Sequence, residues 1–144
     1  MSTFTLRLLS LRCIQAQEGD GDEIYLKLNS ETIFSWDKIG RKFRNQIRNN
    51  KQTASFDFRK CRFSTGKGDQ DTDAYTPDQF EFVDQTEPMT FELWESDANE
   101  FLLGGDDNLG QLVVTIADAQ PGEIAHGFML SDAEYEFRYT LTVN

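Results

Sequence analysis

Apolar and polar residues alternate along most of this chain. Phe4, Leu6 and Leu8 do so in the first segment, and Ile24, Leu26 and Leu28 in EIYLKLN. ETIFSW, SFDFRKCRF, QFEFV, MTFELWE, LGQLVVTIA and EYEFRYTLTV read as further strands. A period of two sends every second side chain to one face, the signature of strands buried on one side. Turn-rich stretches separate the eight segments, so the pattern predicts an all-β fold, an eight-stranded antiparallel β-sandwich. One segment departs from it. In WDKIGRKFRNQIRNN, Trp36, Ile39, Phe43 and Ile47 fall three or four residues apart. That is helical spacing, although Gly40 weakens it by about 1 kcal/mol relative to Ala. A short helical insertion is therefore expected around residues 37–50.

The length of 144 residues predicts one domain, 1–144, with a sizeable core, and twelve Phe, four Tyr and two Trp supply large side chains to fill it. Cys13 and Cys61 could pair, but they read first as two free thiols buried in strands. Two Cys and one His cannot build a four-ligand zinc site without carboxylates. The opening MSTFTLRLLSLRC is too interrupted by Arg and Ser for a Sec-type signal peptide. A cytoplasmic protein, with peripheral membrane contact, is the expectation.

The net charge of −11 is unevenly spread. Between Lys38 and Lys67 ten basic residues face one acid, Asp57, so this basic insertion carries +9 and the remainder −20. Lys38, Arg41, Lys42, Arg44 and Arg48 interleave with the helical apolar positions. They read either as the solvated face of a helix covering a sheet edge or as a surface for lipid, nucleic acid or an acidic protein partner. Phe43, Phe56, Phe58 and Phe63 lie in the same segment, but strand alternation would bury most of them, and the overall charge disfavours nucleic acid.

The acids cluster in three places. Glu18, Asp20 and Asp22 precede the EIYLKLN strand; Asp69, Asp71 and Asp73 precede QFEFV; Glu95, Asp97, Asp106 and Asp107 lie between MTFELWE and LGQLVV. The second group imitates an EF-hand, which needs D-x-[DN]-x-[DN]-G-x5-E. It fails at the sixth position, Ala74, and at the twelfth, where Phe80 stands one residue before Glu81. Asp and Gly also favour turns for backbone reasons alone, so each cluster can be read as turn chemistry or as metal ligands.

Taken in order, these clusters resemble the C2 domain family, a divergent member with Greek-key connections. EGDGDEIYLKL is similar to that family's first calcium loop, with Asp22 at the ligand place and Tyr25 one residue late. FELWESDANEFLLGGDDNLGQLVV is similar to the third, with Glu95, Asp97 and Asp107 at the ligand places, Glu standing for the usual first Asp, and about four extra residues. The likeness covers roughly residues 4–37 and 76–117; the 38–75 excursion is unlike a compact member. The resemblance implies a calcium-binding module that contacts phospholipid membrane in a calcium-dependent way, with calcium as its cofactor. Asp20, Asp22, Asp69, Asp71, Asp73, Glu95, Asp97, Asp106 and Asp107 are its candidate ligands. Phe101, Leu102 and Leu103 are either a membrane-entering wedge or an apolar run folded back on the sandwich. The alternative role is a calcium-independent protein interaction through the basic insertion.

Catalysis has little support. The lone His126, in AHGF, reads as a structural or solvated loop residue. STGKGD lacks the spacing and the final Ser or Thr of a phosphate-binding loop.

Overall fold

The computed structural model describes residues 3–15, 24–35, 55–60, 62–65, 68–71, 79–83, 88–95, 106–131 and 133–144. The expected helical insertion at 37–50, with Lys38, Arg41, Lys42, Arg44 and Arg48, lies outside the described residues, as does Cys61.

Two antiparallel sheets face one another. The first runs β10 (Gln120–Phe128), β11 (Glu134–Val143), β1 (Thr3–Gln15), β4 (Ser55–Asp57), β5 (Arg62–Thr65) and β6 (Gly68–Asp71). Here β7 (Gln79–Val83) pairs with the first half of β1, and β4 pairs with its second half. The other sheet runs β3 (Glu31–Ser35), β2 (Ile24–Leu28), β8 (Met89–Glu95) and β9 (Asp107–Val114). Sandwich and antiparallel pairing are as the alternation predicts.

The number of strands is corrected from eight to eleven among the described residues, for local reasons. SFDFRKCRF is a hairpin rather than one strand: Asp57 Oδ1 accepts hydrogen bonds from the backbone N–H groups of Arg59 (2.9 Å) and Lys60 (3.2 Å) and turns the chain. LGQLVVTIA ends as a strand at Val114, where Asp118 Oδ2 accepts from Thr115 N at 2.7 Å and starts a short 3-10 turn, Ile116–Asp118. QPGEIAHGF, with its Pro and two Gly, hides the edge strand β10; an edge tolerates a residue without an N–H. GDQD is the edge strand β6 and not part of a loop before QFEFV.

In β1 the buried positions shift from Phe4, Leu6 and Leu8 to Leu11 and Cys13. A bulge between Leu8 and Ser10 makes that change of phase, and the Leu9 carbonyl accepts from Phe58 N at 3.0 Å. The two residues of the β2–β3 turn, Asn29 and Ser30, both have positive φ (50° and 70°), matching the twist of a tight hairpin. Asn29 then extends the sheet: its N–H donates to the Thr90 carbonyl at 2.8 Å and its Oδ1 accepts from Thr90 N at 2.9 Å.

The core is aromatic. Phe34 of β3 meets Phe56 of β4 with ring centroids 4.9 Å apart, and Phe91 of β8 meets Phe137 of β11 at 5.0 Å. Those contacts set β3 over β4 and β8 over β11. Phe56 and Phe58 are fully buried, so the second half of the basic segment builds the core and offers neither ring to a nucleic-acid base.

Candidate functional site: the carboxylate end of the sandwich

Strand register determines which candidate residues meet. Ile24 at the start of β2 stands opposite Glu95 at the end of β8, and Glu95 stands opposite Asp107 at the start of β9. The connection from β1, residues 16–23, therefore enters beside Glu95. The β8–β9 connection, residues 96–106, leaves from Glu95 and returns at Asp107. On the other sheet Gln15 pairs with Glu134 at this same end. Ser35 and Ser55, the two stems of the basic run, also lie here, opposite Tyr25 and Arg12 respectively.

Glu95 continues the inward phase of Met89, Phe91 and Leu93 and is only 1% exposed. Cross-strand partners share a face, so Asp107 is on the same side as Glu95. Asp106 is held differently. The Tyr25 hydroxyl, from the half-buried outer positions of β2, donates to Asp106 Oδ2. Tyr25 in turn pairs with Trp94, and the Lys27 ammonium lies 5.8 Å from each of those two rings. Tyr25 as an anchor for Asp106 was not legible from the sequence; only its outward phase in β2 hinted at it.

A bulge follows at once. Leu93 faces Gly110 but Trp94 faces Asn108, so Leu109 is the extra residue. Asn108 Oδ1 accepts from Gly110 N at 2.9 Å and fixes the bulge. The bulge also joins the sheets: the Leu109 carbonyl accepts from Leu130 N at 3.0 Å, and the Asn108 carbonyl from Ser131 Oγ at 2.9 Å. The His126 Nε2 lies 3.1 Å from the Gln111 carbonyl, and the ring meets Phe128 edge-on at 5.1 Å. His126 is thus a strand residue of the β9–β10 seam, which corrects its assignment to a loop.

The other candidates fall elsewhere. Asp20, Asp22, Asp73 and Asp97 lie outside the described residues, as do Phe101, Leu102 and Leu103. Asp69 and Asp71 belong to β6, opposite Ser64 and Arg62. That strand is the far edge of its sheet, and the register through Ser64 puts Asp69 level with Ser55, at the same end as Glu95 but to one side of it. Among the described residues, no group of three or more metal-ligating side chains is gathered. Glu95, Asp106 and Asp107, with Asp69 and Asp71 of β6, are the described part of the expected set. An open apolar depression lined by Ala119, Pro121, Leu141 and Val143 lies at the opposite end.

No protein-family model and no curated protein matches the chain. Solved structures similar to it include a C2 domain (TM-score 0.43, 17% identity, 99% of both chains). They also include human GIVD cytosolic phospholipase A2 in complex with a fluorophosphonate inhibitor and terbium chloride (TM-score 0.43, 13% identity). A third is CC2D1B, which acts in mitotic reformation of the nuclear envelope (TM-score 0.45, 11% identity). This chain is covered to 99% and 98% in the latter two but spans only 17% and 54% of their lengths.

Proposed function

We propose that this chain is a C2-like module that binds calcium at the Glu95 end of the sandwich and, with the ion bound, docks on anionic phospholipid. The observation that carries this reading is the register pair of Glu95 and Asp107. Like charges directly opposite each other destabilise a sheet. Calcium relieves that cost, because it takes six to eight oxygens in a flexible shell. Asp20, Asp22 and Asp97 lie in the two connections whose stems meet beside Glu95, and supply further oxygens. Asp106, anchored by Tyr25, sits next to Asp107.

Without the ion, so acidic an end is repelled by an anionic membrane; with it, the sign of the local field changes. Phe101, Leu102 and Leu103 belong to the β8–β9 connection and would then meet the lipid. The stems of the basic run, Ser35 and Ser55, leave from this end too, and its positive charge would add to the attraction for an anionic surface.

A calorimetric titration of chelator-treated protein with calcium tests the reading, with Asp107→Asn alongside. Saturable binding in the wild type, weakened about tenfold or more in the variant, is expected from the loss of one charged ligand. No heat, together with a melting temperature unmoved by millimolar calcium, rejects it. Salt-sensitive vesicle binding without calcium would then point to the basic run.

A further inference from the structure

We propose that the Met129–Leu130 turn between β10 and β11 is a second bilayer-contacting element, separate from the β8–β9 connection. This deepens the calcium-dependent membrane reading and rests on it. Met129 is 65% exposed and Leu130 52%, two of the four large apolar residues that the described chain leaves in water. Both sit in one short turn, and that turn is bonded directly to the carboxylate end. Leu130 N donates to the Leu109 carbonyl and Ser131 Oγ to the Asn108 carbonyl, two residues and one residue beyond Asp107 respectively. Ala133 N closes the turn on the Leu130 carbonyl at 3.1 Å. Ser131 has φ 56°, a conformation the turn holds at some cost.

The shape of this feature selects its occupant. A stable protein interface needs roughly 800 Å² and 20–30 residues on each side. Two exposed side chains in one short turn, with Asn108, Ser131 and Glu134 nearby, fall well short of that. They are enough for the boundary between headgroups and acyl chains, where a few apolar residues enter while polar neighbours stay hydrated. Such a tip cannot enter alone beside Asp106 and Asp107, because an anionic surface repels them; calcium at those carboxylates removes the obstacle.

The test uses vesicles of phosphatidylserine and phosphatidylcholine with wild type and the double variant Met129→Ser, Leu130→Ser. Both positions are exposed, so the variant should keep the wild-type melting temperature and lipid-free calcium affinity. Its calcium-dependent vesicle binding should weaken about tenfold or more, the scale expected for two apolar side chains kept out of the lipid. Leu130→Trp should show a blue-shifted emission only when calcium and vesicles are both present. Equal vesicle binding by wild type and the double variant overturns this proposal and leaves the calcium reading standing. A wild type that binds calcium but no vesicle overturns the tip and the membrane role together. Self-association of the wild type that the double variant loses would assign the turn to a second copy of the chain, and overturns it as well.

Discussion

Phe128 occupies the space that a side chain on Gly110 would need. A methyl group there would stand 2.7 Å from Phe128 Cβ and Cδ1 and 2.8 Å from its Cα, and Gly110 has φ +153°. The contact crosses from β9 to β10, the seam that joins the two sheets beside the carboxylate end. Gly110→Ala should therefore cost about 3 kcal/mol, from backbone strain plus overpacking against a fully buried ring. For a domain of this size that is a fall of about 10 °C in melting temperature. Urea or thermal unfolding checks it, and a loss under about 1 kcal/mol would mean that the seam relaxes easily.

The seam also marks where the sequence stops being readable. Alternation in MTFELWE and EYEFRYTLTV exposes β8 and β11 because one face of each is buried and the other is not. β10 escapes because an edge strand carrying Pro121, Gly122 and Gly127 has few apolar positions to reveal its period. The bulge in β1 hides in the same way: Leu8, Leu9 and Leu11 read as a broken alternation, and only the pairing with β11 shows one extra residue. At the site, Glu95 and Asp107 were legible as a pattern, since a strand ended and another began in acids. The Tyr25–Asp106 bond joins residues 81 apart in sequence, and local spacing cannot report it. Asp69 and Asp71 read as loop residues because an acidic, Gly-containing segment looks like a turn. Pairing with β5 makes it a strand nonetheless.

Removing charge from Glu95 should separate stability from calcium binding. Glu95→Gln keeps the volume and relieves the repulsion from Asp107, so the calcium-free variant should be more stable than wild type by about 1 kcal/mol. Wild type at about a hundred times its dissociation constant should gain about 2.7 kcal/mol from calcium, and the variant little or none. Melting curves with chelator and with calcium give all four values. A variant less stable than wild type in chelator would show that the contacts of Glu95 within the protein outweigh its repulsion from Asp107.

Alkaline pH should act through Tyr139. Its ring is buried against Phe137 at 5.4 Å, and burial, reinforced by the nearby charge of Asp118, raises its pKa above the ordinary value of 10.0. The folded state thus holds the proton more tightly than the unfolded chain. The resulting stability is complete below about pH 10 and is lost as pH rises from there through the folded-state pKa. Tyr139→Phe keeps the packing and removes the ionisation. Its unfolding midpoint should decline less steeply than that of wild type above about pH 10. Parallel declines would assign the alkaline loss to other groups.

Tyr25 should matter to calcium through Asp106 rather than by touching the ion. Its hydroxyl holds Oδ2 of that carboxylate, and its ring is braced by Trp94 and Lys27 on the outer face of β2 and β8. Tyr25→Phe leaves the ring and its neighbours in place while releasing Asp106 to rotate. Loss of such an orienting partner commonly weakens metal binding by about 10- to 100-fold. The same loss of affinity is therefore expected here, with a melting temperature in chelator that stays within a few degrees of wild type. Asp106→Asn made in the Tyr25→Phe background separates the two ways the result can arise. If Tyr25 works by aiming Asp106, the double variant should be little weaker than Asp106→Asn alone, because there is no longer a carboxylate to aim. Full additivity of the two losses would instead mean that Tyr25 supports the site by another route, through the strand pairing with Trp94.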